Sequence, residues 1–357
     1  MSRIRVLVVD DSAFMRKVIS DIVIKDSNLE LAGTARNGKD AIAKLSLLNP
    51  DVITLDVEMP EMNGLEALEK IMTIAPTPVI MLSSLTQAGA DITIQALAKG
   101  AIDFVQKPGG SISLNIHEVE KEIVEKIILA SKANLKQLYN PPLSINVEKT
   151  LVNKPFIKND SSQLGFPLVL IGTSTGGPKA LHKLIENLKE ITNAAILVVQ
   201  HMPPGFTKSL AHRLDSLTHL EVKEGENGEE IKPGVVYIAP GNYQMEVKVK
   251  NICQPYLYIH QGPLITGHRP SVDALFNSVA KTDINKVVAV IMTGMGHDGR
   301  DGLINLKQKN CISIAEAENT CVVYGMPKAA IQAGCVDKIV PLFNIPNEII
   351  KSLNLIL

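Results

Sequence analysis

The sequence has no excess of charge of either sign. It contains 36 Lys and Arg residues and 37 Asp and Glu residues, which gives a formal net charge of −1 at pH 7. A protein without an overall basic field is not drawn to nucleic acid or anionic lipid by long-range electrostatics. We therefore expect no nucleic-acid partner. A transcriptional regulator would need a basic recognition helix, and we identify no convincing one in residues 165–357.

Long apolar runs are also lacking. The first residues, MSRIRVLVVDDSAFMRK, contain a short apolar stretch that ends at two aspartates, which is too short and too acidic for a signal peptide. No later run reaches the roughly 20 residues needed to cross a bilayer. We expect a cytoplasmic protein that does not insert into a membrane.

Cysteine is scarce, and no CxxC pair is present. The four cysteines are far apart in the sequence: Cys253, Cys311, Cys321 and Cys335. Structural zinc sites usually place their cysteines in closely spaced pairs, so zinc is not expected here. Free thiols in a reducing compartment are the simpler interpretation.

Short β-branched runs alternate with helical patterns in the first part of the chain. This alternation is typical of a parallel sheet with crossover helices, and predicts a doubly wound α/β domain with a flavodoxin-like fold over residues 1–125. A helix is predicted from His117 to about Leu138. Residues 126–164 are predicted to form a linker, because they become rich in Asn, Ser, Lys and Pro. The predicted strands are Ile4–Asp10, Leu29–Ala35, Asp51–Asp56, Pro78–Ser83 and Asp103–Gln106.

A second alternating series follows the linker. It predicts an α/β domain with a parallel sheet over residues 165–357. Its predicted strands are Leu168–Ile171, Ala195–Gln200, Val235–Ala239, Lys286–Met292 and Cys311–Ala315.

Polar residues end four strands of the first domain. Asp10 and Asp11 follow the first strand, Asp56 ends the third, Ser83 ends the fourth, and Lys107 with Pro108 follows the fifth. The carboxyl ends of parallel strands share one edge of the sheet, so these side chains should converge. Three clustered carboxylates favour Mg²⁺, and Asp56 is then a plausible nucleophile for an aspartyl phosphate. The alternative is that Asp10 and Asp11 only cap the next helix.

The segments VVDDS, TLDVEMPEMNG, MLSS and DFVQKP resemble the signature segments of bacterial response-regulator receivers. The resemblance implies that Asp56 accepts the phosphoryl group and that Asp10 and Asp11 help to hold Mg²⁺. Ser83 would be the switch hydroxyl and Lys107 the partner of the phosphate. Phe104 stands where the family has an aromatic residue that changes rotamer on activation; a buried core Phe would look the same.

The second domain begins with a glycine-rich turn. LVLIGTSTGGPKAL predicts a strand, a sharp turn and a helix, and Gly172 to Gly176 satisfy G-x-S-x-G, the spacing of a nucleophile elbow around Ser174. Backbone N–H groups at the start of the helix would also be placed to stabilise an oxyanion. A phosphate-binding turn is the competing interpretation, although the P-loop Gly-Lys-Ser/Thr is missing.

A nucleophilic serine needs a base and an acid that orients it. Of eight histidines, His201 directly follows an apolar strand, and His297 is its rival. Asp298 follows another apolar strand, in TGMGHDGRDG, where a turn-forming Asp-Gly is the alternative role. Asp301 and Asp273 are the alternative acids. The resulting order Ser–His–Asp differs from that of α/β-hydrolases.

The segments IGTSTGGPKAL, VVQHMPPGF, VYIAPG, HRPSVDALF and IMTGMGHDG resemble the catalytic domain of chemotaxis protein-glutamate methylesterases (CheB). The resemblance implies Ser174 as nucleophile, His201 as base and Asp298 as the orienting acid, with no cofactor for the esterase. Candidate oxyanion or substrate residues are Thr175, Met295, His268 and Arg269. Arg300 and Asp301 depart from the small residues that often follow the acid in this family.

The function implied is hydrolysis of glutamyl methyl esters on methyl-accepting chemotaxis receptors, with methanol released, and deamidation of receptor glutamines. A chemotaxis histidine kinase would be the phosphodonor. The alternative is a response regulator whose second domain only binds a partner, with Ser174 as a turn residue.

Overall fold

The structure is a computed structural model that describes residues 3–84, 86–107, 116–133, 149–150, 165–188, 191–250 and 254–356. The chain forms two compact units, residues 1–140 and 141–357. The limits 1–125, 126–164 and 165–357 stay a prediction. Most of the predicted linker, Pro108 and Cys253 lie outside the described residues, as does the side chain of His117.

The first unit has the predicted doubly wound α/β fold. Its five strands are all parallel, in the order β2-β1-β3-β4-β5. Each predicted strand is present to within one residue, and the helix predicted from His117 ends at Ala130 rather than near Leu138. In chain order the elements are β1 Ile4–Val9, α1 Ala13–Lys25, β2 Leu29–Ala35, α2 Gly38–Leu48, β3 Val52–Asp56, α3 Gly64–Ile74, β4 Val79–Ser83, α4 Gln87–Lys99, β5 Asp103–Gln106 and α5 Ile116–Ala130.

The second unit is built on an eight-stranded sheet in the order β6-β15-β14-β13-β7-β8-β10-β9, parallel except for β6. The strands β11 and β12 form a separate antiparallel hairpin outside this sheet. The strands are β6 Lys149–Thr150, β7 Leu168–Thr173, β8 Ala195–Gln200, β9 Glu221–Glu224, β10 Val235–Ile238, β11 Gln244–Lys250, β12 Gln254–His260, β13 Val287–Ile291, β14 Ile312–Glu316 and β15 Lys338–Val340.

In the residues that the structure describes, five helices of the second unit lie between these strands in the chain, and a 3₁₀ turn and a last helix follow β15. They are α6 Gly177–Glu186, α7 Phe206–Asp215, α8 Val272–Ala280, α9 Arg300–Lys307, α10 Met326–Gln332, the 3₁₀ turn Leu342–Asn344 and α11 Ile345–Ile356. Every residue of β7, β8 and β13 is buried, as expected for central parallel strands covered on both faces. These three strands are adjacent and parallel, in the order β13-β7-β8, so their carboxyl ends lie side by side at one edge of the sheet.

The five predicted strands of this unit are present to within two residues, and β6, β9, β11 and β15 were not predicted. The hairpin strand β11, QMEVKVK, alternates apolar and polar residues, which is typical of a strand with one solvated face. In the described ranges no helix is long and apolar enough to cross a bilayer.

Candidate functional site

The acidic residues of the first unit meet at the carboxyl edge of its sheet. Asp10, Asp11 and Asp56 each offer a carboxylate oxygen, and these atoms lie within 4.8 Å of one another. Asp10 and Asp56 are buried, whereas Asp11 is exposed. Ser12 caps α1 by accepting the Met15 N–H, so capping does not account for the two aspartates. Three hard oxygen donors of this kind fit Mg²⁺.

Lys107 lies between two of these carboxylates. Its Nζ is 2.8 Å from Oδ2 of Asp10 and 2.7 Å from Oδ2 of Asp56. Burial raises the pKa of Asp56 to about 6; the ammonium of Lys107 opposes this rise and the negative Asp10 adds to it. The pKa of Lys107 is raised, because its two carboxylate partners outweigh its burial. With Lys107 beside it, the Asp56 carboxyl therefore loses its proton near pH 6, and further positive charge at the site would favour the ionised form, because it lowers the pKa.

Ser83 and Phe104 flank this cluster on β4 and β5. The Thr93 hydroxyl, on α4, donates a 2.8 Å hydrogen bond to Oγ of Ser83, and both residues are fully buried. The ring of Phe104 is buried, and the Lys126 ammonium lies 5.2 Å from its centroid. The Ser83 hydroxyl is thus tied to α4 in this conformation.

In the second unit, Ser174 follows β7 at a tight turn into α6. Its N–H donates to the carbonyl of Thr293, and its own carbonyl accepts the N–H of Gly177. Gly176 has φ +78°, and a Cβ on Gly177 would come within 2.1 Å of Oε1 of Gln200, so both positions require glycine. A Cβ on Gly294 would lie 2.8 Å from Cβ of Ser174. The Thr293–Gly296 turn therefore passes directly beside the serine.

His201 follows β8 and pairs with Asp298. Nε2 of His201 lies 2.7 Å from Oδ2 of Asp298, whereas its Nδ1 is buried with no hydrogen-bond partner among the described residues. In the neutral ring a proton on Nε2 leaves Nδ1 as the acceptor. The backbone of His201 is also bonded to β7, the strand before Ser174, because its N–H donates to the carbonyl of Thr173.

Asp298 is held at the N-terminus of α8. Its carboxylate accepts hydrogen bonds from the Ser271 hydroxyl and from the N–H groups of Val272, Asp273 and Gly299. Burial alone would raise the pKa of Asp298, but these donors and His201 hold it below its usual range. Anionic groups are stabilised at a helix N-terminus in this way. The acid is therefore fixed in both position and charge.

The alternative residues are placed elsewhere. Asp273 accepts the Gly302 N–H at 2.6 Å, and burial raises its pKa to about 6. Asp301 pairs with the neighbouring Arg300 and is exposed. His297 is also exposed. Among these five acid and base candidates, His201 and Asp298 are the histidine and the acid that hydrogen-bond each other in the part of the chain that the structure describes.

Two of the four candidate oxyanion or substrate residues are in one loop. His268 stacks on His201, with ring centroids 3.7 Å apart and planes 13° from parallel. Arg269 instead braces the loop, donating to Oδ1 of Asn242 and to the carbonyl of Gly262. Met295 is 41% exposed beside the serine turn, whereas Thr175 is buried.

Several polar residues around this site were not predicted. The side-chain amide of Gln200 donates hydrogen bonds to the carbonyls of Ser174 and His201. The hydroxyl of Ser271, at the N-cap of α8, donates to the carboxylate of Asp298. The sequence carried signals for both: Gln200 is a polar residue ending an apolar strand, and Ser271 stands at the N-cap position before VDALF.

Comparison with known proteins covers both units. The CheB methylesterase family model matches residues 169–349, and the response regulator receiver domain model matches residues 6–116. A protein-glutamate methylesterase/protein-glutamine glutaminase of Oceanobacillus iheyensis is 47% identical over 355 residues, 99% of this chain and 100% of that protein. One of Bacillus subtilis is 49% identical over 343 residues, 94% of each. The CheB methylesterase catalytic domain of Thermotoga maritima superposes with a TM-score of 0.51 at 47% identity, covering 52% of this chain and 98% of that structure.

Proposed function

The chain belongs to the CheB methylesterase family, and we propose that it is a phosphorylation-activated serine hydrolase of glutamyl methyl esters. The main support for this proposal is the hydrogen bond between His201 and Asp298, which leaves Nδ1 of His201 as a buried acceptor. Ser174 lies at the same carboxyl edge of the sheet. We assign Ser174 as nucleophile, His201 as general base and Asp298 as the acid that orients it.

The reaction has two halves. Oγ of Ser174 attacks the ester carbonyl and its proton passes to Nδ1 of His201, which then protonates the departing methoxide to give methanol. In the second half His201 takes a proton from water as the hydroxide attacks the acyl-serine. The bond between the acyl carbon and Oγ of Ser174 then breaks, His201 returns the proton to Oγ, and the glutamic acid side chain is released and ionises to the carboxylate. The same steps with ammonia as the leaving group convert glutamine to glutamate. N–H groups near Thr175 and Met295 are the proposed oxyanion donors.

The receiver supplies the control. Asp10, Asp11 and Asp56 would hold Mg²⁺, which supports phosphoryl transfer by neutralising charge on the transferred group. Asp56 accepts the phosphoryl group, while Lys107 and Ser83 respond to it. We propose a chemotaxis histidine kinase as phosphodonor, methyl-accepting chemotaxis receptors as substrate, and a cytoplasmic location. The esterase half needs no cofactor in this scheme.

The test is methanol release from membranes that carry methyl-labelled chemoreceptors. Wild type with Mg²⁺ and a small acyl phosphate should release methanol, Ser174→Ala should not, and Asp56→Asn should stay at the unstimulated rate. Ser216→Ala, the same change at an exposed serine, is the matched control and should behave as wild type. Equal release from Ser174→Ala and wild type would exclude Ser174 as nucleophile.

A second measurement separates the hydrolase from a module that only binds a partner. A fluorophosphonate probe reacts with an activated serine and not with a turn serine. Labelling of wild type but not of Ser174→Ala supports the hydrolase. A folded wild type that takes up no label would favour the binding module.

A further inference from the structure

One buried side-chain amide connects the proposed nucleophile, Ser174, with the proposed base, His201. Gln200 is the last residue of β8 and is 2% exposed. Its Nε2 donates to the carbonyl of Ser174 at 2.9 Å and to the carbonyl of His201 at 3.1 Å. The nucleophile and the base come from different strands, and this side chain bonds the main chain of both.

The orientation of the amide follows from its neighbours. Rotating the amide by 180° would place Oε1 against two carbonyl oxygens, so Nε2 must face them. Oε1 then points at Gly177, where an added Cβ would lie 2.1 Å away, and it has no hydrogen-bond partner among the described residues. A buried acceptor without a partner is costly. The glutamine is kept in this orientation although half of its hydrogen-bonding capacity is unused.

The contact with Ser174 also sets the direction of the next peptide group. The carbonyl of Ser174 accepts from Gln200 and from the N–H of Gly177, at 2.9 and 2.8 Å. Because a trans peptide is planar, fixing this oxygen fixes the direction of the Thr175 N–H on the opposite side of the same plane. In a nucleophile elbow the N–H after the nucleophile belongs to the oxyanion site.

We propose that Gln200 is a positioning residue for the hydrolase: it holds Ser174, His201 and the peptide after Ser174 in the geometry of reaction. This inference rests on the proposed function. Gln200 acts through the backbone of the reacting residues and touches no substrate. A misplacement of about 1 Å can cost about a hundredfold in rate, whereas the loss of a hydrogen bond that only stabilises the fold leaves the rate of the folded enzyme unchanged.

The test compares two replacements in the full chain. Gln200→Met keeps the length of the side chain and removes the donor, and Gln200→Glu replaces the donor by an acceptor. The control is Thr207→Val, which removes a buried hydroxyl that bonds Glu224 and Gly241 away from the pair. The measured quantity is the rate of fluorophosphonate labelling of Ser174 per folded molecule, with methanol release from labelled membranes as the second readout.

We expect Gln200→Met to label about tenfold to a hundredfold more slowly than wild type, with kcat for methanol release lowered and KM unchanged. Thr207→Val should label at the wild-type rate. Gln200→Glu should be slower still at neutral pH, because a carboxylate would face two carbonyl oxygens. Its rate relative to wild type should rise as the pH falls, since a protonated carboxyl can donate, while the Gln200→Met ratio stays constant.

Three outcomes overturn the proposal. The first is a Gln200→Met protein that labels Ser174 at the wild-type rate. The second applies where that variant does not fold: a Gln200→Glu ratio that is independent of pH. The third is labelling of Thr207→Val that is slowed to the same degree, which would assign the effect to general destabilisation. Failure of the proposed function is distinguishable, because wild type itself would then take up no label.

Discussion

Nε2 of His201 donates to Oδ2 of Asp298 across 2.7 Å, and Nδ1 of the same ring has no partner within the part of the chain that the structure describes. The tautomer with its proton on Nε2 is therefore the one that the acid selects. This is the reverse of a triad in which Nδ1 faces the acid and Nε2 faces the serine.

Replacing Asp298 by Asn tests this selection. The amide can offer an N–H to Nε2 and so favour the tautomer with its proton on Nδ1, which cannot accept the serine proton. We expect kcat to fall by about 10³-fold or more, measured as methanol release and as labelling of Ser174. Asp301→Asn, which changes an exposed acid in the first turn of α9, is the control. A loss of less than tenfold in Asp298→Asn would contradict the assigned role.

Replacing His268 tests the stacked pair. Burial, with a smaller contribution from the nearby His201, lowers the pKa of His268 to about 4. His268 is therefore neutral at pH 7, and it lies against a ring that would become charged in the proposed reaction. Stacked rings contribute about 0.5–1.5 kcal/mol. We expect His268→Ala to lose up to about tenfold in kcat and His268→Phe, which keeps a flat ring, to lose less than His268→Ala. Equal losses in both variants would show that stacking is not the contribution.

Phosphorylation of Asp56 should depend on pH. An aspartate attacks phosphorus only when ionised, and burial raises its pKa to about 6. Uptake of phosphate from a small acyl phosphate should therefore fall as the pH drops through about 6. Raising Mg²⁺ should move this midpoint to lower pH, because the cation favours the carboxylate. Asp56→Asn gives the background. A rate that stays constant down to pH 5 at limiting Mg²⁺ would contradict the prediction.

Glu316 should make the second unit less stable at higher pH. It is fully buried at the end of β14, where it accepts the Thr293 N–H, and burial raises its pKa from 4.5 to about 7 against the effect of its hydrogen bonds. The folded state therefore keeps a proton that the unfolded state releases. Stability is complete below about pH 4.5 and is lost as the pH rises towards 7, by up to about 3 kcal/mol.

Glu316→Gln lacks this titration. Relative to wild type, the variant should be more stable at pH 8 than at pH 5, measured as the difference between the two unfolding temperatures at each pH. Any cost of the added amide N–H, which is the same at both pH values, cancels in the comparison. A difference that does not change with pH would show that Glu316 keeps an ordinary pKa.

The sheet and the residues at its edge could be predicted because each rests on a local pattern. Buried parallel strands are continuous apolar runs, and a polar residue that ends such a run, such as Asp56, His201 or Ser174, must lie at the shared edge. The hairpin strand β11 was not predicted, since the alternating polar residues in QMEVKVK do not indicate what the strand packs against.

The supporting contacts were less accessible to sequence reasoning. Gln200 hydrogen-bonds Ser174, which lies 26 residues away in the sequence, and His201, which is its neighbour. Ser271 hydrogen-bonds Asp298, which lies 27 residues away. Such bonds depend on which strands become neighbours, and on the rotamers that the packing allows. The choice between Asp298, Asp273 and Asp301 likewise required the distances, because all three lie near the same loop.

The carboxylate of Asp298 accepts the first N–H groups of α8. Movement of the carboxylate and opening of the first turn of α8 are therefore coupled. The N–H groups of Val272 and Asp273 can exchange with solvent deuterium only when the carboxylate has released them. Hydrogen exchange at these two amides therefore reports, in the resting protein and without substrate, how often the acid leaves its place. If Asp298 orients His201 as proposed, opening of that single helical turn would inactivate the enzyme while the sheet remains folded. We therefore expect activity to be lost on heating before the core unfolds.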